Sequence, residues 1–324
     1  MKKLAYLPII FFSLITLAQD QPGAIAAGKK MVFVSDTQQP MWVETILLKS
    51  NHNRAATADI FSDILRCKPS SLYMLGDVVA LGSSNKKWRH VDKFLDSARK
   101  SGTEVAGLLG NHEVMGRRKK GERNFDKRFP LNVRTGYISV TDSVAVILLN
   151  SNFKSLSPAS IQQQQTWYES TLATLDTSAA IKSIIVSCHH APFSNSKIVK
   201  SSLDVQRYFV PAYIKSQKAQ LFIAGHAHAF EHFQKQGKEF VVIGGGGGLH
   251  QPLNDSPGNI PDIASNYKPM FHYLSVQRVQ DKLLIVSHFL KTDFSGFDIG
   301  HSFTTNDNGN VFTTIVKDLS EKKP

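Results

Sequence analysis

Leu221–Phe233 reads LFIAGHAHAFEHF. A strongly apolar run stops at Gly225, and His226, His228 and His232 follow. A solvent loop has no need of three imidazoles, and a packed core has little use for them. Histidine is the commonest metal ligand, so the question is whether the rest of the chain supplies partners. It does so in a repeated pattern. MVFVSD ends at Asp36, LYMLGD at Asp77, and VAGLLGN at Asn111 with His112 next. SIIVSCHH ends at His189 and His190, and LFIAGH ends at His226 with His228 just beyond. Each run is short, apolar and closed by a polar group, as in strands buried on both faces. A single Asp after such a strand is ordinarily a turn residue or a helix cap. A lone histidine is more often structural than a ligand. Turn chemistry alone does not account for a series of Asp, Asp, Asn, His and His-x-His.

Helical patterns lie between these runs. In KKWRHVDKFLDSARKSG, Trp88, Val91, Phe94, Leu95 and Ala98 recur at helical spacing, and Gly102 is a stop signal. DIFSDILR pairs Ile60 and Phe61 with Ile64 and Leu65, and IQQQQTWYESTLATL repeats on Ile161, Tyr168, Leu172 and Leu175. Alternating strands and helices predict an α/β chain with a largely parallel sheet. Ligands of such sheets bind beyond the carboxyl ends of the strands, which places the polar termini in one crevice. Gly76, Gly110 and Gly225 precede three of the termini, where a residue without Cβ lets the backbone turn sharply.

The donors are hard oxygens and imidazole nitrogens, with no required thiolate. That mixture suits Mn, Fe, Zn or Co better than an all-oxygen Ca or Mg site. There are too many donors for one tetrahedral ion. They suffice for two ions sharing a carboxylate at the roughly 3.5–4 Å separation of two-metal hydrolases. The surplus positive charge attracts phosphate and lowers the pKa of a bound water, whose hydroxide can attack phosphorus in line.

The ordered blocks SDTQ, GDVV, GNHE, HHAP and GHAH resemble those of the calcineurin-like metallophosphoesterases. The resemblance runs from about Met31 to His228 and continues through FVVIGGGGG to FHYLSVQRV and KLLIVSHFL. RFPLNVRTGYISV, VAVILLNSN and HAHAFEHF are most similar to the purple-acid-phosphatase-like branch. The resemblance implies a calcineurin-like four-layer α/β fold, two mixed β-sheets packed face to face and flanked by helices. By matched position, Asp36 and His228 would bind one metal, Asp77 would bridge, and Asn111, His190 and His226 would bind the second. His190 rather than His189 is expected to ligate, because the family's ligand lies two residues before the proline, here Pro192. Strand alternation then sends His189 to the opposite face. His112 would lie near the leaving-group oxygen, as general acid or transition-state stabiliser.

Two departures from the family pattern matter. The first block usually reads D-x-H, and here Gln38 takes the histidine's place, offering a neutral and weaker amide oxygen. Purple acid phosphatases carry a tyrosine three residues after the second aspartate, and here that residue is Ala80. Both changes leave the Fe(III) preference of that branch without its usual support.

Further candidates lie outside these blocks. Arg117 and Arg118 open a basic stretch after GNHE that could grip a second phosphate, although a charge run is most often a solvated loop. GGGGGLHQP from Gly244 is not a P-loop, since no Lys-Ser or Lys-Thr follows. In the family, such a turn passes near the crevice, with His250 on its edge. His232 reads as a neighbour of the ligands or as exposed, and His272, His288 and His301 as structural.

Lys2 and Lys3, the apolar run LAYLPIIFFSLITLA and the small-residue site at Ala24 and Ala26 read as a signal peptide over residues 1–26. Residues 27–324 would then form a single catalytic domain, secreted or periplasmic, with no transmembrane segment. The formal net charge is +12, and loss of Lys2, Lys3 and Asp20 lowers it by one. A basic surface favours anionic partners such as phosphorylated substrates, and no dedicated nucleic-acid module is evident. Cys67 and Cys188 permit a disulfide or two separate thiols. Phosphomonoester hydrolysis leads. A phosphodiesterase or nuclease on the same site, and a non-catalytic metal- or phosphate-binding protein of the same fold, are the rivals. A zinc peptidase ranks low, because H-E-x-x-H is absent.

Overall fold

The computed structural model describes residues 28–46, 48–254 and 259–305. The expected signal peptide, residues 1–26, lies outside them. Twelve strands run in chain order: β1 Met31–Val34, β2 Ser71–Met74, β3 Glu104–Gly107, β4 Tyr137–Thr141, β5 Val144–Leu148, β6 Ser183–His190, β7 Ala219–Gly225, β8 Phe230–Lys235, β9 Lys238–Ile243, β10 His272–Val279, β11 Lys282–Leu290 and β12 Phe297–Thr304. They form two six-stranded sheets, ordered β12-β11-β10-β1-β2-β3 and β4-β5-β6-β7-β9-β8. The polar-ended strands pair in parallel, β1 with β2 and β2 with β3 in one sheet, and β6 with β7 in the other. The two mixed sheets implied by the family resemblance are present: the strand–helix alternation alone accounts for the parallel pairs, while β10 to β12, β4 and β8 join in antiparallel register. Three of the polar termini come from one sheet and two from the other.

Three apolar layers hold the stack. Phe33, Tyr73, Val146, Ile185 and Ile223 fill the space between the sheets. Helix Pro158–Thr177 covers the outer face of the second sheet, with Tyr168 and Leu172 packed on Ile184 and Val186. Helices Asn53–Cys67 and Asn85–Lys100 cover the first sheet. The predicted stripe of Trp88, Val91, Phe94, Leu95 and Ala98 is buried in full. This is the expected four-layer α/β arrangement. Gly102 has φ +87° two residues past the helix, with its N–H donating to Arg99 O. Cys67 and Cys188 are free thiols, one half-buried and one buried. Among the described residues, no helix is long and apolar enough to cross a membrane.

The two sheets are also joined by polar contacts where β3, an edge strand, meets β4. The Tyr137 hydroxyl accepts from Gly107 N (2.9 Å) and donates to Gly107 O (2.7 Å). The Tyr73 hydroxyl lies 3.1 Å from Ser139 Oγ. Edge backbone groups that would otherwise seek water are thus satisfied inside the fold. Tyr137→Phe leaves both Gly107 groups unpaired and should cost about 1–3 kcal/mol of stability, read as a lower urea midpoint at unchanged m-value. A midpoint equal to wild type would show that water replaces the hydroxyl.

Candidate metal centre

The strand ends turn by the same device. Asp36 (φ 59°), Asp77 (φ 47°) and His226 (φ 68°) all occupy the left-handed region, uncommon for residues other than glycine. Each turn brings its side chain back over the carboxyl edge of the sheets. Gly110 lets the turns pack, since a Cβ there would lie 2.1 Å from Asp77 Oδ1. The Asp36 and Asp77 carboxylates are buried. Asp36 Oδ2 accepts from His226 N (2.9 Å), and Asp77 Oδ1 accepts from His112 N (2.8 Å).

The other carboxylate oxygens face imidazoles. Asp77 Oδ2 lies 3.2 Å from His189 Nε2 and 3.7 Å from His112 Nε2, and Asp36 Oδ1 lies 3.3 Å from His228 Nε2. Asp36 Oδ1 is nonetheless buried without a hydrogen bond. Gln38 is oriented by its surroundings. Its amide NH2 donates to Asp77 O (2.8 Å) and Asp36 O (3.1 Å), which leaves its oxygen 3.2 Å from His228 Nε2. His228 Nδ1 is tied to Leu249 O at 2.7 Å.

His189 corrects the expectation from strand alternation. It does not point away: it is fully buried, with Nδ1 on Leu75 O (2.9 Å) and Nε2 3.1 Å from Asn111 Oδ1. The cause is a register shift between β6 and β7. Cys188 pairs with Ala224 and His190 with Gly225, so His189 is an inserted residue. A bulge of this kind breaks the two-residue period and sends neighbouring side chains to one side. His190 also reaches the crevice, with its Nδ1 2.8 Å from Ser151 Oγ. Its ring centroid lies 4.5 Å from that of His226. Ligand atoms of His189, His190 and His226 lie within 4.8 Å of one another, as do those of Asp36, Asp77 and His189. His189 belongs to both groups.

The imidazoles divide by charge. Burial would lower the His189 pKa, but Asp77 beside it prevails and lifts it to about 10. Burial, and then the His189 charge, pull His190 down to about 3. Burial, with His190 and His189, holds His226 well below its ordinary value. His190 and His226 are therefore neutral, the form that binds metal. An orphaned carboxylate oxygen, neutral imidazoles and converging oxygen and nitrogen donors fit transition-metal ions.

The remaining candidates are placed as follows. His112 donates from Nδ1 to Ala80 O (2.9 Å), which turns Nε2 toward Asp77. A cavity of about 480 Å³ opens beside Asn111, His190 and His226. Neither Arg117 nor Arg118 lines it. Arg117 is exposed, and Arg118 pairs with Glu122 and donates to Ser155 O. The glycine-rich turn lies flush on the site, where a Cβ at Gly248 would sit 2.4 Å from the His228 ring. His250 lines a separate cavity with Lys268 and Asp262. His232 is buried in its own network, with Glu239 at 2.8 Å and His301 at 2.9 Å. His288 bonds Ser275, and His272 is buried edge-to-face against Phe230 with no hydrogen bond at either ring nitrogen.

The calcineurin-like phosphoesterase profile matches residues 29–230, more than half the chain. The chain belongs to that family. Its two-sheet stack is the family's fold. It overlays a purple acid phosphatase from yellow lupin (Lupinus luteus) with a TM-score of 0.62 at 16% identity, over 88% of this chain and 54% of that one. The chain thus spans about half the length of that protein. GAP50, the anchor in the inner membrane complex of Plasmodium, overlays at 0.57 and 13% identity, over 85% and 88%. A dimetal phosphatase from Danio rerio overlays at 0.51 and 13% identity, over 84% and 98%. At these identities the overlays speak for the fold alone. No curated protein matches the chain.

Sequence reasoning quoted GNHE without giving Glu113 a role. Its fully buried carboxylate accepts from four backbone groups: Asp77 N (2.8 Å), Gly110 N (2.9 Å), Val78 N (3.0 Å) and Val79 N (3.2 Å). Burial and the nearby Asp77 push its pKa up to about 7, against the pull of those donors. The available signal was a glutamate three residues after the Gly110 turn, the position that reaches back to a helix N-terminus. Glu113→Gln replaces one acceptor with an amide facing N–H groups. It should cost about 2–3 kcal/mol in urea unfolding. A loss below ~0.5 kcal/mol would mean that the four bonds do not hold the site.

Proposed function

We propose that the chain is an exported dinuclear phosphomonoesterase of the acid-phosphatase type. The observation that carries the reading is the convergence of two donor groups on the shared His189. Asp36, Gln38 and His228 supply donors on one side, and Asp77 lies between. Asn111, His190 and His226 supply the other side, with His189 as a further donor that would release its proton on binding. Two transition-metal ions held there would supply Lewis-acid activation of water and of the phosphoryl oxygens.

The chain's own residues then do the following. The two buried aspartates offset only part of the charge of the two divalent ions they would help to hold, and the surplus positive charge would favour a phosphate dianion. Before metal binding, the Nε2–H of His189 donates to Asn111 Oδ1 (3.1 Å) and holds both side chains in the crevice. His112 has its Nδ1 proton committed to Ala80 O, so Nε2 faces the crevice and can hydrogen-bond or protonate the departing alkoxide. Ala80 is small and buried where the purple branch has its tyrosine. Export is supported by the basic start, the apolar run and the small-residue site of residues 1–26.

The mature chain, stripped with chelator and reloaded with Mn, Zn, Fe or Co, should hydrolyse chromogenic phosphate monoester faster than diester. Asp77→Asn should lower kcat by at least about 10²-fold, as expected when charge stabilisation of the transition state is lost. A folded protein that binds two ions and turns over neither ester would favour the non-catalytic reading, with Gln38→His the first reversion to make. Iron-loaded protein should lack the visible iron–tyrosinate band, and its appearance would overturn the reading of Ala80.

A further inference from the structure

The cavity beside Asn111, His190 and His226 is also lined by residues that the proposed chemistry does not use. Lys154 and Lys200 are among them, both exposed, and among the described residues neither is paired with an acid.

This part of the lining is held in place from several directions. Lys154 lies in the 3-10 turn Phe153–Ser155. Asn152 Nδ2 donates to Leu109 O (3.0 Å) just before that turn, and Arg118 donates to Ser155 O at its end. Phe153 packs on Tyr208 and Phe209, each with ring centroids 5.2 Å away. Tyr208 ends and Phe209 caps the helix Leu203–Tyr208, which begins three residues after Lys200. Ser202 N donates to Ala191 O (2.8 Å), anchoring the Lys200 loop to the end of β6. Two lysines from distant parts of the chain are thus fixed on one cavity with the candidate ligands. Asp204, exposed on the same lining, is the acid that opposes them.

We propose that Lys154 and Lys200 form a second anion subsite, so that the preferred substrates are organic phosphates whose leaving group carries a further phosphate. The inference rests on the phosphoesterase reading above. An ammonium is a point charge on a flexible stem, which suits a second phosphate whose position varies from substrate to substrate. An uncharged leaving group gains nothing from these lysines.

The test compares a sugar bisphosphate with the corresponding monophosphate on metal-loaded protein. Lys154→Ala/Lys200→Ala should raise KM for the bisphosphate at least about tenfold more than KM for the monophosphate, with kcat little affected. The preference should shrink as salt rises, because exposed charges are screened. Asp204→Asn should move the bisphosphate KM the other way, which a merely structural role would not do. Equal KM shifts for the two substrates in the double variant would overturn the inference. Calorimetric titration with the same two compounds reads the subsite even without turnover. Lysine-dependent tighter binding of the bisphosphate in a protein that hydrolyses nothing would keep the subsite and reject the phosphoesterase reading. Equal binding of both compounds to wild type and variant would reject the subsite.

Discussion

Four backbone N–H groups converge on the buried Glu113 carboxylate. Three follow β2 and one precedes the Asn111 turn, so this single side chain ties the ends of two neighbouring strands. The consequence reaches the chemistry directly. Asp77 N is one of the donors, and Asp77 Oδ1 returns a bond to His112 N. The bridging candidate Asp77, the leaving-group candidate His112 and Asn111 are therefore placed by one network of backbone contacts. A buried carboxylate is costly unless its lone pairs are filled, and here they are filled by groups that would otherwise be unsatisfied at a sharp turn.

That network also explains why short strands can carry so dense a site. β1, β2 and β3 are four residues each. Left-handed turns at Asp36 and Asp77 then fold the chain back within one residue. Such conformations cost of order 1 kcal/mol or more for non-glycine residues, and they persist only where the surroundings over-determine them. Glu113, the close approach of Gly110, and the Gly76 O to Asp36 N bond supply that determination.

The sequence made the donors and their order legible because strand-end chemistry is local. An apolar run closed by Asp, Asn or His shows itself without knowledge of the partner strand. The helices were legible for the same reason, as with the Trp88 to Ala98 stripe. What it could not show was pairing. A bulge exists only relative to the neighbouring strand, so alternation misplaced His189, and the Cys188–Ala224 and His190–Gly225 register puts it back in the crevice. The division of the strand ends between two sheets is likewise a property of pairing. Lys154 and Lys200 were unreadable as a pair, being far apart in the chain and brought together by the packing of Phe153 on Tyr208 and Phe209.

Gln38 shows how one substitution can alter a site without dismantling it. A histidine at that position would offer an imidazole nitrogen. The glutamine spends its NH2 on the Asp36 and Asp77 carbonyls, and its oxygen is thereby fixed toward His228 Nε2. The amide is not a floppy stand-in; it is held as a neutral oxygen donor. The crevice then divides unevenly. Around Asp36 and Gln38 the donors are mostly oxygen, with His228 the imidazole within 3.3 Å of Asp36. Around His189, His190 and His226 they are mostly nitrogen. Carboxylate and carbonyl oxygens suit harder ions such as Mn, whereas imidazole suits Zn and Fe. The donor set is therefore uneven between the two sides of the crevice, and Gln38, an oxygen where the family pattern has a nitrogen, is the residue that creates the difference.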